Sequence, residues 1–359
     1  MTKKLSTTTL KRLVLLFFLL WLIFAGLYYA ESFLMPLAVA AILAMLLWPV
    51  AKKLEDWGLS RKWSSFLSVL GFVILVAGLF FLLGTQIQSF GEQWPKMKEQ
   101  FTEQISSVEQ MVADKLGISK QTQQEMLSGQ DKAKNMAKRA AGTIFSFLTN
   151  FLLVLVYIFL LLLYRNRFKR FILAYTQEEK KDDMRKVISE AARVAKNYLT
   201  GRLLLMSILA VIYCAGLSLI GVQQAIFFGI LAAILAIIPY VGNIAGAALP
   251  IAMALGQGDT QQAIWVIALF SAAQLLENYL LEPVVVGQKV DLNGFFSIAI
   301  VILGEMLWGI PGAVLAMPFL GILKIIFDHI EQFKPIGMLV SEDENSNGIG
   351  DKLKQVFSR

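Results

Sequence analysis

The sequence predicts an all-α, polytopic integral membrane protein, and three observations predict it. Hydrophobic residues make up 57% of the chain and charged residues 16%, against roughly 25% charged in ordinary soluble domains. The apolar residues gather in blocks about as long as the ~20 needed to cross a bilayer core: residues 13–30, 63–84, 143–164, 203–220 and 263–281. Lysine and arginine cluster between blocks in the alternating manner of the positive-inside rule. Backbone polar groups in hydrocarbon must be satisfied within the segment, so each block is expected as a helix. The expected architecture is about six full spans plus two re-entrant or short helical hairpins, with an amphipathic helical excursion between spans three and four.

Taken in order, Lys3, Lys4, Lys11 and Arg12 precede the first block and place the N-terminus in the cytoplasm. That block is longer than the ~7–15 residues of a signal-peptide core and is read as a retained helix. Residues 33–50 return after an outer turn at Glu31–Ser32, and Lys52, Lys53, Arg61 and Lys62 fall inside. Residues 1–84 thus form an N-terminal set of membrane helices. Residues 85–142 are polar and read as an extracytoplasmic helical excursion, with Ile87, Phe90, Trp94, Met97, Phe101, Ile105, Val108 and Val112 spaced as one apolar stripe.

Residues 143–202 hold a membrane helix and a cytoplasmic amphipathic helix. Arg165, Arg167, Lys169 and Arg170 follow the helix and give a strong inside signal. Thr176 and Glu179 have capping-box spacing, and Met184, Val187, Ile188, Ala191, Val194, Ala195 and Tyr198 share one face. Residues 203–330 form a C-terminal membrane region in which the apolar segments become short. Residues 225–238 and 244–255 flank Pro239, Tyr240, Val241, Gly242 and Asn243, and residues 295–308 and 313–327 flank Gly309, Ile310, Pro311 and Gly312. Segments of that size give roughly 20 Å of helix, short of the ~30 Å hydrocarbon core. Each pair is a re-entrant hairpin or two short tilted spans, and hairpins fit the charges better. Residues 331–359 form a cytoplasmic tail whose polar composition reads as largely disordered.

Interrupted membrane helices expose backbone dipoles, which transporters use to hold solutes and ions; the alternative is a tight turn at the membrane surface. Glu305, inside an apolar run, is the sharpest single candidate, because an intramembrane carboxylate is costly unless it faces protein or water. Its alternative is a position near a hairpin tip with polar surroundings. Gln274, Glu277 and Asn278 form a polar stripe on an apolar helix, for ligand binding or for helix–helix contact, and Glu277 could also snorkel to the interface. Glu282 and Asn243 complete the substrate- or ion-binding candidates. Arg202 and Glu31 are read as interface anchors. Gly216, Gly221 and Gly229 are read as close-packing positions.

The net charge of +7 is interleaved with the membrane blocks and forms no basic-aromatic stripe, so nucleic acid is not an expected partner. One cysteine, Cys214, and one histidine, His329, leave no basis for a metal site, and no cofactor is expected. No G-x-x-x-x-G-K-[ST] loop and no H-E-x-x-H motif occurs, which argues against a pump or an embedded enzyme.

Asn278-Tyr279-Leu280-Leu281-Glu282-Pro283, then Gly287, Asp291-Leu292-Asn293 and Trp308-Gly309-Ile310-Pro311-Gly312-Ala313, resemble the autoinducer-2 exporter family, the PerM-type permeases. Ile238-Pro239-Tyr240-Val241-Gly242, Asn197-Tyr198-Leu199-Thr200-Gly201 and the late Pro318 resemble further motifs of that family. The resemblance covers nearly the whole chain. It implies a homo-oligomer, with a pentamer as the suggested form, that exports a small hydrophilic molecule across a bacterial cytoplasmic membrane. Some members look like cation/proton antiporters, so a sodium- or potassium/proton exchanger and a passive oligomeric pore stand as alternatives. Glu282 and Pro283 match the family motif directly, whereas Glu305 falls where apolar or small residues are usual.

Overall fold

The computed structural model describes residues 7–82, 84, 130–238, 241–286 and 292–341. The apolar stripe on the excursion, Pro239, Tyr240, Gly287, Asp291 and the tail from residue 342 lie outside them. The described residues are almost entirely helical, without a strand among them. In chain order the helices are α1 (Thr7–Tyr29), α2 (Glu31–Asp56), α3 (Arg61–Leu82), α4 (Gln130–Ala174) and α5 (Lys181–Ile220). They continue with α6 (Ala225–Leu235), α7 (Val241–Gly256), α8 (Thr260–Leu276), α9 (Gly294–His329) and α10 (Lys334–Val340).

Among the described residues, six helical stretches are long and apolar enough to cross a membrane: Glu31–Asp56, Arg61–Leu82, Leu148–Ala174, Glu178–Ile220, Thr260–Glu282 and Gly294–His329. The last covers both arms of the expected second hairpin, and α1 adds a further apolar helix of 23 residues. Leu15, Phe17 and Trp21 on α1, and Ile74, Leu75 and Phe81 on α3, are all exposed. Such continuous apolar surface is stable against lipid and not against water. At about 1.5 Å per residue, α5 with its 40 residues is roughly 60 Å long and extends well beyond a ~30 Å core. The amphipathic segment and the span that follows it are therefore one continuous helix, with Val187, Val194 and Ala195 buried on the expected face.

The start of α5 corrects one expectation. Thr176 does not cap it: its hydroxyl donates to the Ile172 carbonyl at the end of α4 (2.9 Å). Gln177 occupies the cap position of the short 3₁₀ turn that leads into α5, without a side-chain cap bond. The threonine thus satisfies one of the carbonyls left open at a helix end.

The described residues fall into two compact units, one within 1–49, 153–195 and 292–343, the other within 50–152, 196–291 and 344–359. In the first, α9 is broken at Trp308 (φ −134°, ψ 20°) and Gly309 (φ 59°, ψ −142°). Beyond the break the chain turns back, so that Gly304 and Gly312 meet backbone to backbone. A β-carbon on either would overlap the other's carbonyl oxygen. Gly309 takes the left-handed conformation that side chains resist. The Trp308 indole donates to the Leu27 carbonyl (3.1 Å), one of the carbonyls left open at the end of α1.

In the second unit, α5, α6, α7 and α8 share one core. Leu205, Leu209, Tyr213 and Leu217, at steps of four on α5, are fully buried with Phe228, Ala232, Val266 and Phe270. The Tyr213 and Phe270 rings stack with centroids 4.5 Å apart. Gly229 lies against the Cys214 backbone, where a β-carbon would come within 2.6 Å of its nitrogen. Gly216 likewise lies against Leu269, as close-packing positions should. Gly221 (φ 83°) ends α5, and its bond to Ser218 together with that of Val222 to Leu217 makes a Schellman motif. Asp259 caps α8 by accepting from the Gln262 amide (2.8 Å).

The α6–α7 turn is built as tightly as the break in α9. A β-carbon at Gly242 would overlap the Leu235 carbonyl, and one at Gly246 would lie 2.7 Å from the Ala232 β-carbon. Gly242→Ala and Gly312→Ala are expected to lower stability by about 1–3 kcal/mol through overpacking. Gly294→Ala, where nothing lies within 4 Å, should leave it unchanged or slightly raised. Thermal unfolding of the three variants in detergent, followed by tryptophan fluorescence, checks this.

Candidate functional site

Within the second unit, α5 presents two polar side chains on its buried face. Arg202 and Tyr213 lie eleven residues apart, about three helical turns, and bracket the buried Leu205 and Leu209. Arg202 is 4% exposed and Glu277, at the end of α8, is 5% exposed. Their Nη1 and Oε1 atoms are 3.4 Å apart. The other terminal nitrogen of Arg202, Nη2, donates to the Ala236 carbonyl just past the end of α6. A guanidinium at that end answers both an open carbonyl and the negative pole of the helix.

Beside this pair runs a chain of neutral side chains. The Tyr213 hydroxyl donates to Asn243 Oδ1 (2.7 Å). Asn243 Nδ2 donates to Gln274 Oε1 (2.6 Å), and Gln274 Nε2 to Asn278 Oδ1 (2.8 Å). It runs from Tyr213, fully buried, to Asn278, which is exposed. Asn243 reaches it because the tight turn at Gly242 sets it in the first turn of α7. Both arms of the α6–α7 hairpin are therefore tied to its neighbours, one through Ala236 and one through Asn243.

From Glu277 to Val286 the helix widens into π-helical hydrogen bonding. Pro283 falls inside this stretch and has no amide proton to give to any ladder. Glu282, half-buried, lies close enough to Glu277 and to the Tyr198 hydroxyl for its charge to act on both.

Four of the six substrate- or ion-binding candidates, Asn243, Gln274, Glu277 and Asn278, are thus brought together, and Glu282 lies beside them. Glu305 belongs to the other unit, where it is exposed next to Gly304. Of the motif residues, Gly242 shapes the hairpin turn and Pro283 lies in the π-helical stretch. Gly309 is the break in α9, Gly312 makes the close backbone contact, and Pro311 lies between those two. Arg202 is not an interface anchor, since it is buried and paired. Glu277 does not snorkel, for the same reason. The sequence reading misses Arg202 as a buried partner and Tyr213 altogether, because their spacing with Leu205 and Leu209 reads as core alone. Among the described residues no three His, Cys, Asp or Glu side chains gather as metal ligands.

A buried pair of this kind resists the loss of either member. Arg202→Met or Glu277→Gln alone should destabilise the protein by about 3–5 kcal/mol, because each strands or unbalances a buried charge. Arg202→Met with Glu277→Leu should recover most of that loss. Unfolding of the two single variants and the double variant in detergent measures the difference.

A buried charge pair and a polar hydrogen-bond chain thus lie among apolar helices. The chain matches the model of the AI-2E family transporters over residues 16–332. It is 23% identical over 353 residues to the AI-2 transport protein TqsA of Escherichia coli (strain K12), covering 95% of this chain and 99% of that one. It is 25% identical over 326 residues to YueF of Bacillus subtilis (strain 168), named as a transport protein, covering 87% and 88%. YhhT of Escherichia coli (strain K12), also named for transport, is 25% identical over 308 residues, covering 84% and 86%. This multi-pass membrane protein belongs to the AI-2E family of transporters.

Proposed function

We propose that this transporter exports a small hydrophilic solute of the autoinducer-2 kind across a bacterial cytoplasmic membrane, as a homo-oligomer with both termini inside. The single observation that carries the reading is the buried polar assembly in the second unit. Arg202, Glu277 and the chain from Tyr213 to Asn278 form a row of donors and acceptors among apolar helices. A polyhydroxylated solute exchanges hydrogen bonds with amides, hydroxyls and carboxylates at little net cost, whereas bare hydrocarbon offers it none. The relative named as an AI-2 transport protein supports this choice of solute. The α6–α7 hairpin, which carries Asn243, serves as the part that closes over the solute, a role suited to a segment interrupted within the membrane.

A sodium- or potassium/proton exchanger is the second reading, favoured by one observation, the buried carboxylate of Glu277. Its pairing with Arg202 weighs against it, because a cation of the protein itself already occupies that carboxylate. A passive pore is a weaker alternative still, since ties at both arms of the hairpin suit a gated path.

Flux into liposomes holding the purified protein separates the readings. Saturable uptake of labelled autoinducer-2, reduced at least about tenfold by Glu277→Gln, is the expected result. Sodium- or potassium-driven proton movement without uptake of the organic solute would assign the exchanger instead. Unsaturable conductance would assign a pore.

A further inference from the structure

We infer that Glu282 is a second carboxylate of the transport site, and that the Glu277–Val286 segment carries it into the site in one helical register and out in another. The inference rests on the reading of the Arg202–Glu277 assembly as that site. Glu277 and Glu282 are five residues apart. In an α-helix five residues turn through about 500°, which would leave the two side chains about 140° apart. Continued from α8 in that geometry, Glu282 would face away from the buried stripe of Val266, Phe270 and Ala273. The π-helical hydrogen bond joins residues five apart and brings their side chains back to one side. In the observed register Glu282 accordingly lies where its charge reaches both Glu277 and Tyr198, one α-turn before Arg202.

Arg202 has capacity for the second carboxylate. Nη1 is used by Glu277 and Nη2 by Ala236, while its Nε, buried with the rest of the side chain, has no hydrogen-bond partner among the described residues. The charge count around the guanidinium changes with register. With Glu282 present, one cation faces two carboxylates. With Glu282 withdrawn, the pair is balanced. Pro283 favours the first arrangement, since its ring crowds the carbonyl four residues back, which a regular α-helix needs. A site that gains and sheds one negative charge by rotation binds a polar solute differently in its two states, as a transport cycle requires.

The test joins Tyr198→Cys and Glu282→Cys, in a chain carrying Cys214→Ala, with a short bifunctional methanethiosulfonate. The expected results are efficient bridging in that chain and a yield about tenfold lower when Pro283→Ala is added. Equal bridging with and without Pro283→Ala would overturn the two-register element. The bridging comparison needs no solute. If the unaltered protein fails to move autoinducer-2 but the yield still depends on Pro283, the reading of the solute fails and the register change stands. Glu282→Gln, which nearly preserves shape, gives an independent check: a change in half-saturating solute concentration of about tenfold is expected, and none would remove Glu282 from the site.

Discussion

The second unit depends on a single charged contact made where charge is costly. Arg202 reaches across from α5 to Glu277 and, through the same guanidinium, to the last free carbonyl of α6. Three elements meet at one side chain. Removing either ionised partner leaves the other without compensation in a setting with almost no water, which is far less favourable than the pair intact. Apolar residues of similar size would hold the same helices together with less difficulty. The pair therefore adds little stability that well-packed apolar residues would not supply.

Small residues do the complementary work. Where the chain must fold back within a short distance, the backbones touch: Gly242 and Gly246 against α6, and Gly304 against Gly312. In lipid, close packing of this sort substitutes for the hydrophobic drive that water would supply. It also sets the polar groups. The turn at Gly242 carries Asn243 into hydrogen-bonding distance of both Tyr213 and Gln274. Packing and chemistry are thus coupled through a few atoms of main chain, and neither the hairpin nor the hydrogen-bond chain would have its present shape without the other.

Much of this is legible in the sequence. Long uncharged blocks and the intervening lysines and arginines identify the helices, because the cost of unpaired backbone in hydrocarbon leaves few other solutions. The polar stripe Gln274, Glu277 and Asn278 was equally visible, as a period of three and four on an otherwise apolar helix. Arg202 was not. It sits at the edge of an apolar block, where hydropathy reads an arginine as the end of a span, and its partner lies 75 residues away. Tyr213 is likewise silent in the sequence, since an aromatic on a buried face looks like core until its hydroxyl finds Asn243. Glu305, an acid among leucines and isoleucines, attracts attention in the sequence, and its side chain is exposed in the other unit. The π-helical stretch had only Pro283 as a signal, and a proline marks an irregularity without naming its kind.

The contact between Gly304 and Gly312 has a consequence for how the protein is made. A ribosome releases Gly304 eight residues before Gly312 and twelve before Ala316, whose β-carbon also lies against the Gly304 position. Until those residues emerge, the first arm of α9 has nothing to close upon, and alone it is too short to hold a stable place across the bilayer. The two arms thus depend on each other to close, and a ribosome paused between them would hold the first without the partner that Gly304 packs against.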